Sequence, residues 1–116
     1  MKVPQVIEQL KANQLLDERE IFRYCSSPNL IDLSDPSSKG LVLLSVYEKS
    51  LFILEAHLDN TYGKCFAKIE IDKMFPVQGK AGLFKGELTF VCEGNKYDFN
   101  LPAKSKKFVE FFTNNR

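Results

Sequence analysis

The chain has 116 residues, of which 44% are hydrophobic and 27% charged, with ten Phe and four Tyr. That is room for one domain with a sizeable core, and it excludes a disordered chain, which needs low hydrophobicity and high net charge. The formal net charge of +1 lacks the basic footprint of a general nucleic-acid binder.

The first element is a short amphipathic helix over about residues 4–13. Val3, Val6, Ile7 and Leu10 recur at helical spacing on one narrow stripe. Pro4 suits the first turn, where a missing N–H costs nothing. The stripe either packs on the chain's own sheet or docks another chain. Glu20 to Cys25 then reads as a strand rich in Ile, Phe and Tyr. Ser26 to Lys39 is a long loop with Pro28 and Pro36, yet it carries Leu30, Ile31 and Leu33, which a purely solvated linker does not need. Those three either tuck onto the sheet or await a partner.

Leu41–Tyr47 and Leu51–Ala56 are apolar runs separated by Glu48, Lys49 and Ser50, a hairpin whose strands are covered in part on both faces. Leu58 to Lys64 is a polar turn region. From there the chain alternates, with Cys65, Ala67, Ile69 and Ile71 to one face and Phe66, Lys68, Glu70 and Asp72 to the other. Met74–Gln78 reads as a short strand in which Pro76 signals an edge or bulge. Gly79, Gly82 and Gly86 read as turn punctuation. Glu87–Cys92 and Lys96–Leu101 form the clearest hairpin, with Leu88, Phe90, Cys92, Tyr97, Phe99 and Leu101 inward and Gly94-Asn95 as the turn. After Pro102 a helix over about residues 103–114 places Phe108, Phe111 and Phe112 on one face, with Val109 on its flank.

Helix, about seven strands within about 19–101, then helix is the order of a mainly β domain. Strands joined by short turns form an antiparallel sheet, and about seven of them curl into a barrel or split into a sandwich, one open end of which the C-terminal helix is placed to plug. The whole of 1–116 reads as one domain.

Chemistry-bearing patterns are few. His57 is a lone histidine at a strand end; an enzyme or small-ligand carrier would need it beside one of the thiols. Metal ligation wants clustered Cys, His or carboxylates, and no such spacing occurs, so no metal or cofactor is expected. The glycines at 79, 82 and 86 do not match a phosphate-binding spacing. Lys104, Lys106 and Lys107 form a small basic cluster at the start of the last helix, either a solvated face or a partner contact. The three cysteines Cys25, Cys65 and Cys92 are isolated and read as reduced, buried thiols. No apolar run approaches the ~20 residues that span a bilayer, and Glu8 and Lys11 interrupt any signal-peptide core, so the cytoplasm is the expected compartment.

The stretch from Gly40 to Phe112 resembles the bacterial pleckstrin-homology-like domains of the YokE type. The carrying residues are the hairpin LVLLSVYEKSLFILEA, the segment IEIDKMFPVQGK, the hairpin FKGELTFVCEGNKYDFNL and the closing helix KSKKFVEFF. The resemblance implies a partly open barrel of about seven antiparallel strands closed by the C-terminal helix, with the N-terminal helix as an extra element, and a binding scaffold for lipid headgroups, peptides or protein surfaces, not an enzyme. In such folds a headgroup sits among three loops, here Ser26–Lys39, Leu58–Lys64 and Glu93–Lys96. Their cations Lys39, Lys64 and Lys96 are outnumbered by Asp32, Asp35, Asp59 and Glu93, so membrane binding is expected to be weak or absent. The expected function is a protein-interaction module, an adaptor or an inhibitor of a partner. The alternatives are a lipid-headgroup binder and a small-ligand carrier or enzyme using His57.

Overall fold

The computed structural model describes residues 2–27 and 40–114. In chain order these form α1 (Val3–Ala12), β1 (Phe22–Ser26), β2 (Leu41–Tyr47), β3 (Ser50–Ala56), β4 (Tyr62–Glu70), a 3-10 turn (Ile71–Lys73), β5 (Val77–Ala81), β6 (Gly86–Cys92), β7 (Asn95–Leu101) and α2 (Lys106–Asn114). The seven strands make one antiparallel sheet in the order β4-β3-β2-β1-β7-β6-β5. It is open, with β4 and β5 as its edges. The architecture is the mainly β, partly open barrel expected from the sequence, with a helix at each end of the chain.

Two apolar clusters explain why β2 is apolar along its whole length. Cys25, Val42, Leu44, Val46, Leu51, Ile53 and Ile69 face an inner core completed by Leu88, Phe90, Phe99, Leu101 and the helix residues Phe108, Val109 and Phe112. Leu43 and Leu54 point to the other face, where Val6 and Leu10 of α1 and Leu16 cover them. Period-two alternation therefore places apolar side chains on both sides of the same strand. Asp17 binds this N-terminal segment to the β2–β3 turn: its carboxylate accepts the Glu48 N–H at 2.8 Å and the Arg19 guanidinium at 2.7 Å. Arg19 in turn lies 5.4 Å from the centre of the Phe111 ring, joining that segment to α2.

Several boundaries differ from the sequence expectation, each for a physical reason. Cys65 is exposed, not buried, because Ile53 pairs with Ala67 while Leu54 pairs with Cys65. Phe66 is thus an extra residue, a bulge that breaks the alternation and turns Phe66 toward the inner core. β4 begins at Tyr62, inside the expected turn. Residues 71–73 are a 3-10 turn and β5 starts only after Pro76, so Gly79 and Gly86 lie in strands and only Gly82 marks a turn. Gly79 is small because α2 packs against it: a Cβ there would lie 2.7 Å from Val109 Cγ1. The β6–β7 turn is Glu93-Gly94, not Gly94-Asn95, with φ of 51° and 85°; both central residues are left-handed, as a type I′ hairpin turn requires. α2 begins at Lys106, after Lys104 at φ 63° and Ser105, whose hydroxyl donates to the Pro102 carbonyl at 2.7 Å. On that helix Val109 is buried and Phe111 only half-buried, the reverse of the expected roles.

Candidate functional site

The stripe on α1 is divided between core and surface. Val6 and Leu10 are fully buried on the chain's own sheet, Ile7 is half-buried and Val3 is 40% exposed. Val6 and Leu10 are therefore core residues and offer nothing to a second chain. Leu30, Ile31 and Leu33 lie outside the described residues. Lys104, Lys106 and Lys107 are exposed and form no ion pair among the described residues; the Lys104 carbonyl accepts the Arg23 guanidinium at 2.8 Å.

His57 is exposed, and its Nε2 lies 3.4 Å from Glu55 Oε1. It shares with Cys25 the wall of an open cavity of about 420 Å³, lined also by Tyr24, Leu41, Leu58 and Pro102. Burial pushes the Cys25 thiol well above its ordinary range, the opposite of what an activated thiolate needs. Among the described residues no three His, Cys, Asp or Glu side chains gather to hold a metal ion. The loops expected around a headgroup do not all meet. Glu93 lies 4.0 Å from Lys73, which pairs with Glu70 at 3.3 Å, at the end of β4 remote from Leu58.

The feature that sequence reading missed lies along the β5 edge. β5 pairs with β6 through Val77↔Phe90, Gln78↔Thr89, Gly79↔Leu88, Lys80↔Glu87 and Ala81↔Gly86, and no strand lies on its other side among the described residues. The strand is bracketed by exposed large apolar side chains: Phe75 at 75% before it, and Leu83 at 87% and Phe84 at 86% after it. Leu83 and Phe84 are the two central residues of the β5–β6 turn, since the Gly82 N–H donates to the Lys85 carbonyl at 2.8 Å. Two-residue hairpin turns usually take Asn, Asp or Gly at positive φ. Neither Leu83 nor Phe84 has positive φ, so turn chemistry does not account for them. The signal was present in sequence as two large apolar residues inside a glycine-bounded turn, AGLFKG.

The opposite edge is built differently. β4 carries Lys64 and Lys68 and the Phe66 bulge, features that blunt a sheet edge against pairing. Lys68 lies 5.7 Å from the centre of the Phe52 ring and shields it. β5 carries Lys80 and follows Pro76, but the residues at its two ends, Phe75, Leu83 and Phe84, are apolar and exposed.

No helix of the described residues is long and apolar enough to cross a membrane. No known family model matches the chain, and neither a curated protein nor a solved structure is significantly similar to it.

Proposed function

We propose that the chain is a pleckstrin-homology-like domain that works in the cytoplasm as a non-enzymatic protein-interaction module, taking an extended polypeptide segment along the free edge of β5. The observation that carries this reading is the edge of Val77–Ala81, unpaired among the described residues, with Phe75 at one end and Leu83 and Phe84 at the other. An added strand gains main-chain hydrogen bonds along the edge, and apolar side chains at either end supply selectivity. Adjacent large apolar side chains left exposed, as Leu83 and Phe84 are, mark a contact site. Three free thiols fit a reducing compartment.

Selection of peptides from a random display library against the folded protein tests the reading. Selected peptides are expected to shift the backbone amide resonances of Val77–Ala81. They should also bind at least about tenfold more weakly to the Leu83→Asp, Phe84→Asp variant, as loss of an apolar anchor does. Failure to select any peptide, or shifts confined to another surface, would overturn it.

One observation favours a second reading. Lys80 and Lys85 flank the same apolar tip, the arrangement of a hairpin that rests on an anionic membrane surface. Co-sedimentation with vesicles containing phosphatidylserine separates the two: binding lost on Leu83→Asp would favour the membrane, and its absence at low salt would exclude it.

A further inference from the structure

Resting on the reading of β5 as a binding edge, we propose that one occupant of that edge is a second copy of this chain, joined through antiparallel pairing of the two β5 strands about a two-fold axis at Gly79. The backbone first fixes which groups are free. Gly82 donates to Lys85, and the Pro76 carbonyl accepts from Val91. In an antiparallel ladder hydrogen-bonding groups alternate along the strand, so residues 76, 78, 80 and 82 direct theirs to β6. Val77, Gly79 and Ala81 direct theirs to the open side. Pro76, which lacks an N–H, sits where no outward donor is lost.

The side chains then select the register. When Gly79 faces its own copy, Val77 faces Ala81 of the second chain and Ala81 faces its Val77, so every outward-directed residue meets another. Gln78 faces Lys80, which avoids a direct like-charge pair, and Glu87 stands 4.0 Å from Lys80 to offset the diagonal approach of the two lysines. Beyond the ladder, where the Phe75 N–H is held by the Val91 carbonyl and Leu83 enters the turn, the Phe75 end of one chain meets the Leu83 end of the other, and symmetry repeats that approach at the other end. A two-fold interface of this kind is closed, so it yields a dimer and not a fibre. A shift of the axis to residue 80 would set Lys80 against its own copy, and a shift to residue 78 would bring Phe75 against Ala81 and away from Leu83. A five-residue ribbon with these apolar ends buries on the order of 1,000 Å², the lower limit of specific interfaces. The dimer is therefore weak and concentration-dependent.

Sedimentation velocity from about 1 µM to about 500 µM, a range suited to an interface of this size, tests the proposal together with a charge exchange across the contact. Wild-type protein is expected to move from monomer to dimer. Phe75→Lys alone and Leu83→Glu alone should remain monomeric over the range, and the double variant Phe75→Lys, Leu83→Glu should dimerise again, because each new lysine meets a new glutamate at both ends. Both side-chain changes are at exposed positions, and unchanged circular dichroism melts verify folding. A wild-type monomer throughout the range, or a dimer indifferent to the single changes, would overturn the second copy as occupant. The peptide selection above is scored on monomer, so its success or failure decides the binding-edge reading separately.

Discussion

Gly79→Ala probes the contact that holds α2 on β5. The new methyl would sit 2.7 Å from Val109 Cγ1 and 3.2 Å from the Glu87 carbonyl oxygen, well inside van der Waals contact. Val109 is buried and the Glu87 oxygen is backbone, so neither yields without moving an element. Overpacking of this kind costs about 1–3 kcal/mol. Against it stands about 0.4–1 kcal/mol gained from a stiffer unfolded chain, which leaves a net loss centred on about 1.3 kcal/mol and no larger than about 2.6 kcal/mol. Val109→Ala alone removes a buried side chain and costs about 1–3 kcal/mol. Combined, the two changes should cost less than their sum by about 1 kcal/mol, because the truncated side chain makes room for the added methyl. Urea unfolding of the four proteins in this cycle measures the coupling. A Gly79→Ala protein as stable as the wild type, or strictly additive costs, would refute the packing of Val109 onto Gly79.

Phe112, fully buried beside Phe108 and Phe111 at ring distances of 5.1 and 5.0 Å, should cost about 3–5 kcal/mol on replacement by Ala. At about 4 °C per kcal/mol this lowers the Tm by about 12–20 °C, whereas Lys106→Ala should change it little. Asp17 has its pKa lowered to about 2 from 3.8, first by the Arg19 guanidinium. A carboxyl more acidic in the folded than in the unfolded state stabilises above its unfolded pKa and loses that contribution as pH falls through the folded one. Asp17→Asn should therefore cost about 1 kcal/mol at neutral pH and shrink the fall in Tm between pH 4 and about 2, measured by acid titration of the melt. Iodoacetamide on the native protein should modify Cys65 alone, with Cys25 and Cys92 reacting at least about a thousandfold more slowly because both are buried; mass spectrometry of the alkylated protein reads this directly.

Local patterns were legible where one strand face met the inner core. Leu88, Phe90 and Cys92, and Phe99 and Leu101, are all buried as their alternation required, and the apolar length of β2 correctly implied cover on both faces. What failed to show depends on distant parts of the chain. Gly79 looks like a turn residue until α2 is placed on it. Cys65 follows its alternation until a bulge opposite Leu54 shifts the register. The candidate site was hidden for a different reason. Leu83 and Phe84 resemble core residues by type, and only their position as the central pair of a hairpin turn reveals them as exposed. The basic cluster at 104–107 drew attention through charge alone, and the structure brings it no ion-pairing partner among the described residues.

Residue-resolved amide exchange along β5, followed as the protein concentration rises from about 1 µM to about 1 mM, tests the central claim that this edge takes an added strand. The N–H groups of Gln78 and Lys80, held by β6, should be protected at every concentration. Those of Val77, Gly79 and Ala81 should exchange freely in dilute protein and become protected together as concentration rises, or at any concentration when a selected peptide is added. Exchange at Val77, Gly79 and Ala81 that stays fast with both additions, or protection of these three already complete in the dilute monomer, would contradict the account.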